Sequence, residues 1–144
     1  MKPGRSGLLA AVLVAGALVG APVAQADVVV EQRFATDSGD KCGVTKGDLA
    51  WYQTPRVDVT GVLHDLPCDT LFSTATFVAY AGGKAVDEQR VRADNGAVEF
   101  AFPLINAKTT LLEKVTVQVC RFPVEIGISY CGPLQEFRSP IVSS

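Results

Sequence analysis

Apolar and polar residues alternate in short runs along most of the chain, and turn formers interrupt them roughly every 8–12 positions, the pattern of an antiparallel β domain. Val28 to Phe34 predicts a first strand, and Thr36 to Gly47, rich in Asp, Ser, Gly and Lys, predicts a loop. Leu49 to Gln53 predicts a short strand carrying Trp51 and Tyr52. Arg56 to Leu63 alternates cleanly, with Val57, Val59, Gly61 and Leu63 on one face and Asp58, Thr60 and Val62 on the other. Leu71 to Tyr80 is a strand of Thr, Phe, Val and Tyr, and Gly82-Gly83 is a tight hairpin turn because both residues tolerate positive φ. Ala85 to Arg92 returns with Val86 and Val91 as apolar anchors, whose odd spacing allows a bulge. After the Asp94-Asn95-Gly96 turn, Ala97 to Phe102 points Val98, Phe100 and Phe102 one way. Leu112 to Phe122 sets Val115, Val117 and Val119 against Thr116, Gln118 and Cys120. A last strand runs over Ile128 to Cys131 or resumes over Gln135 to Arg138.

These runs amount to about seven or eight strands. Parallel strands need crossover helices, and no helical periodicity is visible. The expectation is an all-β, antiparallel, immunoglobulin-like or related Greek-key sandwich, with a small β-barrel as the alternative.

The first 26 residues stand apart. Lys2 and Arg5 precede an apolar run, Leu8 to Val19, that is too short to span a bilayer, and Ala24-Gln25-Ala26 has the small-x-small form of a cleavage site. This reads as a secretory signal peptide over residues 1–26, with one secreted β domain over residues 27–144. Cleavage removes two of the 13 basic residues and none of the 15 acidic ones, so the formal charge moves from −2 to −4. An acidic domain of this kind has no electrostatic footprint for nucleic acid. Nothing in it reads as a membrane anchor, and the expectation is an extracellular monomer.

Export gives the four cysteines an oxidising environment. Of the three pairings open to Cys42, Cys68, Cys120 and Cys131, the sequence favours Cys42–Cys68 and Cys120–Cys131. The second has a geometric reason: Pro123 to Gly127 can reverse the chain and bring Cys131 opposite Cys120 across an antiparallel pair. No C-x-x-C or paired Cys/His spacing points to a metal or a redox site, and no cofactor is implied.

Catalytic patterns are weak. His64, flanked by Asp65, could act as a base only with Ser73 or Ser38 beside it in space, and no G-x-S-x-G motif is present. The carboxylate clusters Asp37/Asp40, Asp65/Asp69 and Asp87/Glu88 lie in or near turns, where Asp serves the backbone. The Asp37-Ser38-Gly39-Asp40 loop offers oxygen ligands that suit calcium, without the EF-hand spacing. The candidate binding residues are Trp51 and Tyr52, an aromatic pair that strand geometry turns to opposite faces, and Phe122, Val124 and Ile126 in a disulfide-based loop over residues 121–130.

Val115-Thr116-Val117-Gln118-Val119-Cys120-Arg121, followed by Cys131-Gly132, resembles a pattern in small secreted β-sandwich proteins of actinobacteria, as does the Ala/Val/Gly-rich stretch 8–26. The resemblance implies an extracellular β domain and no activity. Secreted actinobacterial protease inhibitors are similar in size and disulfide number. The functional expectation is a non-enzymatic binding or envelope-associated accessory module whose partner is an extracellular protein or polysaccharide, and the alternative is a protease inhibitor acting through loop 121–130.

Overall fold

Nine strands stand in the computed structural model, which describes residues 28–68, 71–122 and 129–141, without the side chain of Val29. They are β1 (Val28–Asp37), β2 (Gly43–Tyr52), β3 (Arg56–Asp65), β4 (Phe72–Ala81), β5 (Lys84–Ala93), β6 (Gly96–Ile105), β7 (Lys114–Phe122), β8 (Tyr130–Cys131) and β9 (Gln135–Arg138). The first sheet has the order β1-β2-β3-β6; the second has β5-β4-β7, with β8 and β9 in succession along the free side of β7. All pairings are antiparallel. Neither sheet closes on itself, which disfavours the barrel.

The two sheets pack face to face as a β-sandwich. Val57, Val59 and Leu63 of the first sheet and Val115, Val117 and Val119 of the second are fully buried, on the faces that the alternation groups together, and Ala75, Phe77 and Ala79 are buried with them. One row aligns the layers. Phe34, Gly47, Gly61 and Phe100 are consecutive register partners across β1, β2, β3 and β6. The two glycines leave a slot between the aromatic rings, and Phe77 from the facing sheet fills it, with ring centroids 5.5 Å from Phe34 and 5.3 Å from Phe100. A Cβ on Gly61 would come within 2.4 Å of the Lys46 carbonyl oxygen and 2.9 Å of the Phe100 ring, so no larger residue fits.

Several boundaries differ from the sequence reading. The expected loop from Thr36 to Gly47 shrinks to residues 38–42, because Val44 to Gly47 pairs with Asp37 to Phe34 and Gly43 to Gly47 with Asp65 to Gly61. The inward positions of this half of β2 are Gly43, Thr45 and Gly47, so no apolar alternation marks it as a strand. The bulge in β5 falls at Val86, where the register passes from Tyr80↔Ala85 to Ala79↔Asp87; Val86 is exposed there rather than anchoring the core. Val98 is also exposed, near the start of an edge strand. The last strand is both of the alternatives considered, split into β8 and β9, which raises the count to nine.

The seven long strands, β1 to β7, run between two ends of the sandwich. One end gathers residues 38–42, 66–68, 71, 94–95 and Ser129. The other gathers residues 53–55, 82–83 and 106–113, together with the start of β1 and the close of β9.

Candidate functional site

The first of these ends carries both disulfides. Pairing of Gly43 with Asp65 brings the segments before β2 and after β3 together, and Leu66 N donates to the Cys42 carbonyl at 2.7 Å. The Cys42–Cys68 bond then closes across a Cα separation of 6.0 Å. Cys120 and Cys131 are direct register partners across β7 and β8 and form the second bond. Both pairings are those expected from the sequence. Gly132 next to this bond lies against the β1–β2 loop, where a Cβ would come within 1.8 Å of the Asp37 carbonyl oxygen.

Arg121 ties these pieces together. The parity that buries Val115, Val117 and Val119 also turns Arg121 inward, and its side chain is 0% exposed. Its guanidinium reaches Asp40 Oδ2 at 3.1 Å, Asp65 Oδ1 at 3.5 Å and the Leu71 carbonyl at 3.4 Å. Asp65, itself 3% exposed, also accepts from Ser73 Oγ at 2.5 Å and from Asn95 N at 2.6 Å. One cation with its carboxylates therefore joins the β1–β2, β3–β4 and β5–β6 connections to β7. Partial burial pushes the Asp40 carboxyl up, but the Ser38 hydroxyl, the Cys42 amide and Arg121 outweigh it and hold Asp40 below its ordinary value. The sequence reading assigned Arg121 no role, although its alternation with the three valines was the available signal.

The predicted binding residues separate. Phe122 is half-buried at the disulfide end and stacks on Phe72 with centroids 5.4 Å apart, while the Arg92 guanidinium lies 3.6 Å over the Phe72 ring. Val124 and Ile126 lie outside the described residues. Tyr130, at the base of the same loop, is 55% exposed. Trp51 and Tyr52 sit at the opposite end, where β2 finishes. Ten residues of β2 at about 3.3 Å each put the two groups about 30 Å apart.

Trp51 is 1% exposed, with its indole N–H donating to Gln32 Oε1 at 2.7 Å, so its ring offers no stacking surface. Tyr52 is half-buried; its hydroxyl donates to Asp58 Oδ2 at 2.8 Å, and the Arg56 guanidinium lies 5.3 Å from its ring centroid. Donation to the Asp58 carboxylate, followed by burial, raises the Tyr52 pKa, and the same carboxylate raises that of Arg56.

The catalytic candidates do not assemble. His64 and Asp65 are strand neighbours on opposite faces, and Ser73 bonds to Asp65. Ser38 donates to Asp40 and accepts from Gly43 N. Asp37 Oδ1 accepts from Gly39 N, and Asp40 Oδ1 from Cys42 N, so the acidic loop spends carboxylate oxygens on its own backbone. Asp87 bonds the amides of Glu88 and Ile105, and Glu88 pairs with Arg90; Asp69 lies outside the described residues. Among the described residues no group of three His, Cys, Asp or Glu side chains is placed to hold a metal.

Two shallow grooves mark the outer face of the first sheet. One, of about 480 Å³, is lined by Arg33, Ala35, Lys46, Asp48 and Val62. The other, of about 240 Å³, lies beside Arg56, Asp58 and Pro103. Searches against protein-family models, curated proteins and solved structures return no match to the chain.

Proposed function

We propose that this chain is a secreted, non-enzymatic, immunoglobulin-like binding module that contacts an extracellular protein or polysaccharide, as an accessory of the cell envelope, through its disulfide end. The strand order supports the fold class. Lettered in chain order from β2, the sheets are A-B-E and C′-C-F-G, a Greek-key arrangement to which β1 adds an outer strand. In such sandwiches the connecting loops cluster at the two ends, and one cluster serves recognition.

The observation that carries the reading is the concentration of both disulfides and the buried Arg121 network at one end. Loops fixed in advance lose less entropy on binding. Exposed Tyr130 and Leu66 give that end apolar contact area. The Ser73–Asp65 bond, which engages that candidate nucleophile on the face opposite His64, supports a binding role over hydrolysis. The leader-like residues 1–26 and the resemblance of the Val115 to Gly132 segment support export.

The test is a co-sedimentation assay of residues 27–144 with insoluble cell wall and polysaccharide, beside a titration against serine proteases. Retention that falls with Tyr130→Ala and survives Tyr52→Ala is the expected result. Retention lost with Tyr52→Ala alone would move the contact to the other end and overturn the assignment. Stoichiometric protease inhibition would replace it with the inhibitor reading. Protein recovered from the medium should begin at Asp27.

A further inference from the structure

Four strand edges flank the two sheets, and three of them are blunted. β5 carries Lys84, Asp87, Glu88, Arg90 and Arg92 and is bulged at Val86. β6 contains Pro103, and its Ile105 amide is capped by Asp87 Oδ2 at 2.9 Å. The edge beside β7 is broken between Cys131 and Gln135, with Gly132 and Pro133 in the gap. β1 differs. It holds ten residues with neither Pro nor Gly, its one register shift lies at its start, between Val28 and Val30, with continuous pairing from there to Asp37, and β2 is its one strand partner among the described residues. Val28 and Val30 are exposed on it, at 42% and 36%. An open, regular edge is a template for another strand.

The side chains of β1 specify which strand. Phe34 and Thr36 are buried, and the Gln32 amide is occupied by the Trp51 indole and the Arg138 carbonyl, so this set faces inward. Glu31, Arg33 and Ala35 face solvent; the Arg33 side chain is 94% exposed and lies 3.8 Å from Asp48 of β2, a surface contact that leaves its guanidinium open to a second carboxylate. If a second β1 lies antiparallel with Gln32 opposite its own counterpart, Glu31 of each copy faces Arg33 of the other. The two-fold axis generates this pair twice. Moving the axis to Glu31 or to Arg33 sets a charge against itself, and moving it to Phe34 sets Glu31 against Asp37. The Glu31-Gln32-Arg33 triplet is thus complementary to itself in one register.

We infer that β1 is a homodimer interface, joining the four-stranded sheets of two copies edge to edge into one continuous antiparallel sheet. The inference stands apart from the binding role above and replaces the monomer expected from the sequence. The seam reaches the disulfide end only along β1, while Tyr130 and Cys131 lie on the other sheet.

Sedimentation equilibrium of residues 27–144 across a concentration series tests it, with circular dichroism melts to show that each variant is folded. The wild-type chain is expected to dimerise reversibly. Arg33→Glu and Glu31→Arg should each weaken the dimer by about tenfold or more, since each turns two attractive cross-strand pairs repulsive. An equimolar mixture of the two single variants should form a heterodimer, and the Glu31→Arg/Arg33→Glu double variant should recover self-association. A wild-type chain monomeric throughout the series, or a dimer indifferent to the single reversals, would overturn the inference. So would failure of both the mixture and the double variant to recover association.

Discussion

Replacing Arg121 with leucine tests whether one buried cation holds the disulfide end together. The guanidinium neutralises Asp65, which is 3% exposed, and reaches Asp40 and the Leu71 carbonyl. Removing one partner of a buried ion pair costs about 3–5 kcal/mol, because the remaining charge stays buried without its counterion. Two features place the cost at the low end. Asp65 keeps its bonds from Ser73 and Asn95, and the Asp40 side chain, 43% exposed, can hydrate instead. The expected loss is therefore about 3 kcal/mol. For a domain of this length each kcal/mol moves Tm by about 4 °C, so the melt should fall by about 12 °C. The Arg121→Leu/Asp65→Asn double variant separates the charge from the packing. Asparagine can accept from the Asn95 amide and donate to Ser73 Oγ, so removing both charges should recover at least about 1.5 kcal/mol relative to additivity. Chemical denaturation of the wild type, both single variants and the double variant measures this. A single-variant shift under about 4 °C, or an additive double variant, refutes the argument.

The same approach reaches other parts of the molecule. Phe77→Ala empties the slot over Gly47 and Gly61 and should cost about 3–5 kcal/mol, read as a fall in the denaturation midpoint with an unchanged slope. Gly61→Ala overfills that slot and should cost at least about 1–3 kcal/mol; a neutral result would show that the Phe100 ring and the β2 backbone yield. Paired Cys→Ser changes should cost about 3 kcal/mol for Cys120 with Cys131 and about 3.5 kcal/mol for Cys42 with Cys68, following sequence separations of 11 and 26. Asp40 is held below its ordinary value of 3.8, so the stability it adds is present above that pH and is lost as pH falls through its lower folded value. Its carboxyl should titrate below 3.8 by NMR, and Asp40→Asn should flatten the acid limb of the stability curve by lowering stability near neutrality while leaving it nearly unchanged at pH values below the folded-state pKa.

The fold was legible where side-chain burial follows the local period of two. Val57, Val59, Leu63, Val115, Val117 and Val119 declare their faces in the sequence, and Gly82 and Gly83 adopt the positive φ that the turn needs. The pairing of Cys120 with Cys131 followed from the same strand logic. Gly43 to Asp48 failed that test because a strand between two others is held by hydrogen bonds to both neighbours, and its Gly47 is required by Phe34 and Gly61 across the sheet, which no local window contains. Arg121 failed for another reason. A cation reads as a solvent-facing residue, and the carboxylates that make its burial tolerable arrive from positions 40 and 65. The candidate binding set mixed two ends of the molecule, since adjacency of Trp51 with Tyr52 carries no information about the distance to Phe122.

Val28 opens β1 beside Tyr52, and β9 closes at Arg138 beside Lys114, so the described chain enters and leaves at the end that has no covalent cross-link. A fluorescent protein, affinity tag or surface tether joined directly before Val28 or after Ile141 therefore hangs from the pole farthest from Tyr130 and Cys131. Immobilised in that orientation, the molecule would present its cross-bonded tip outward.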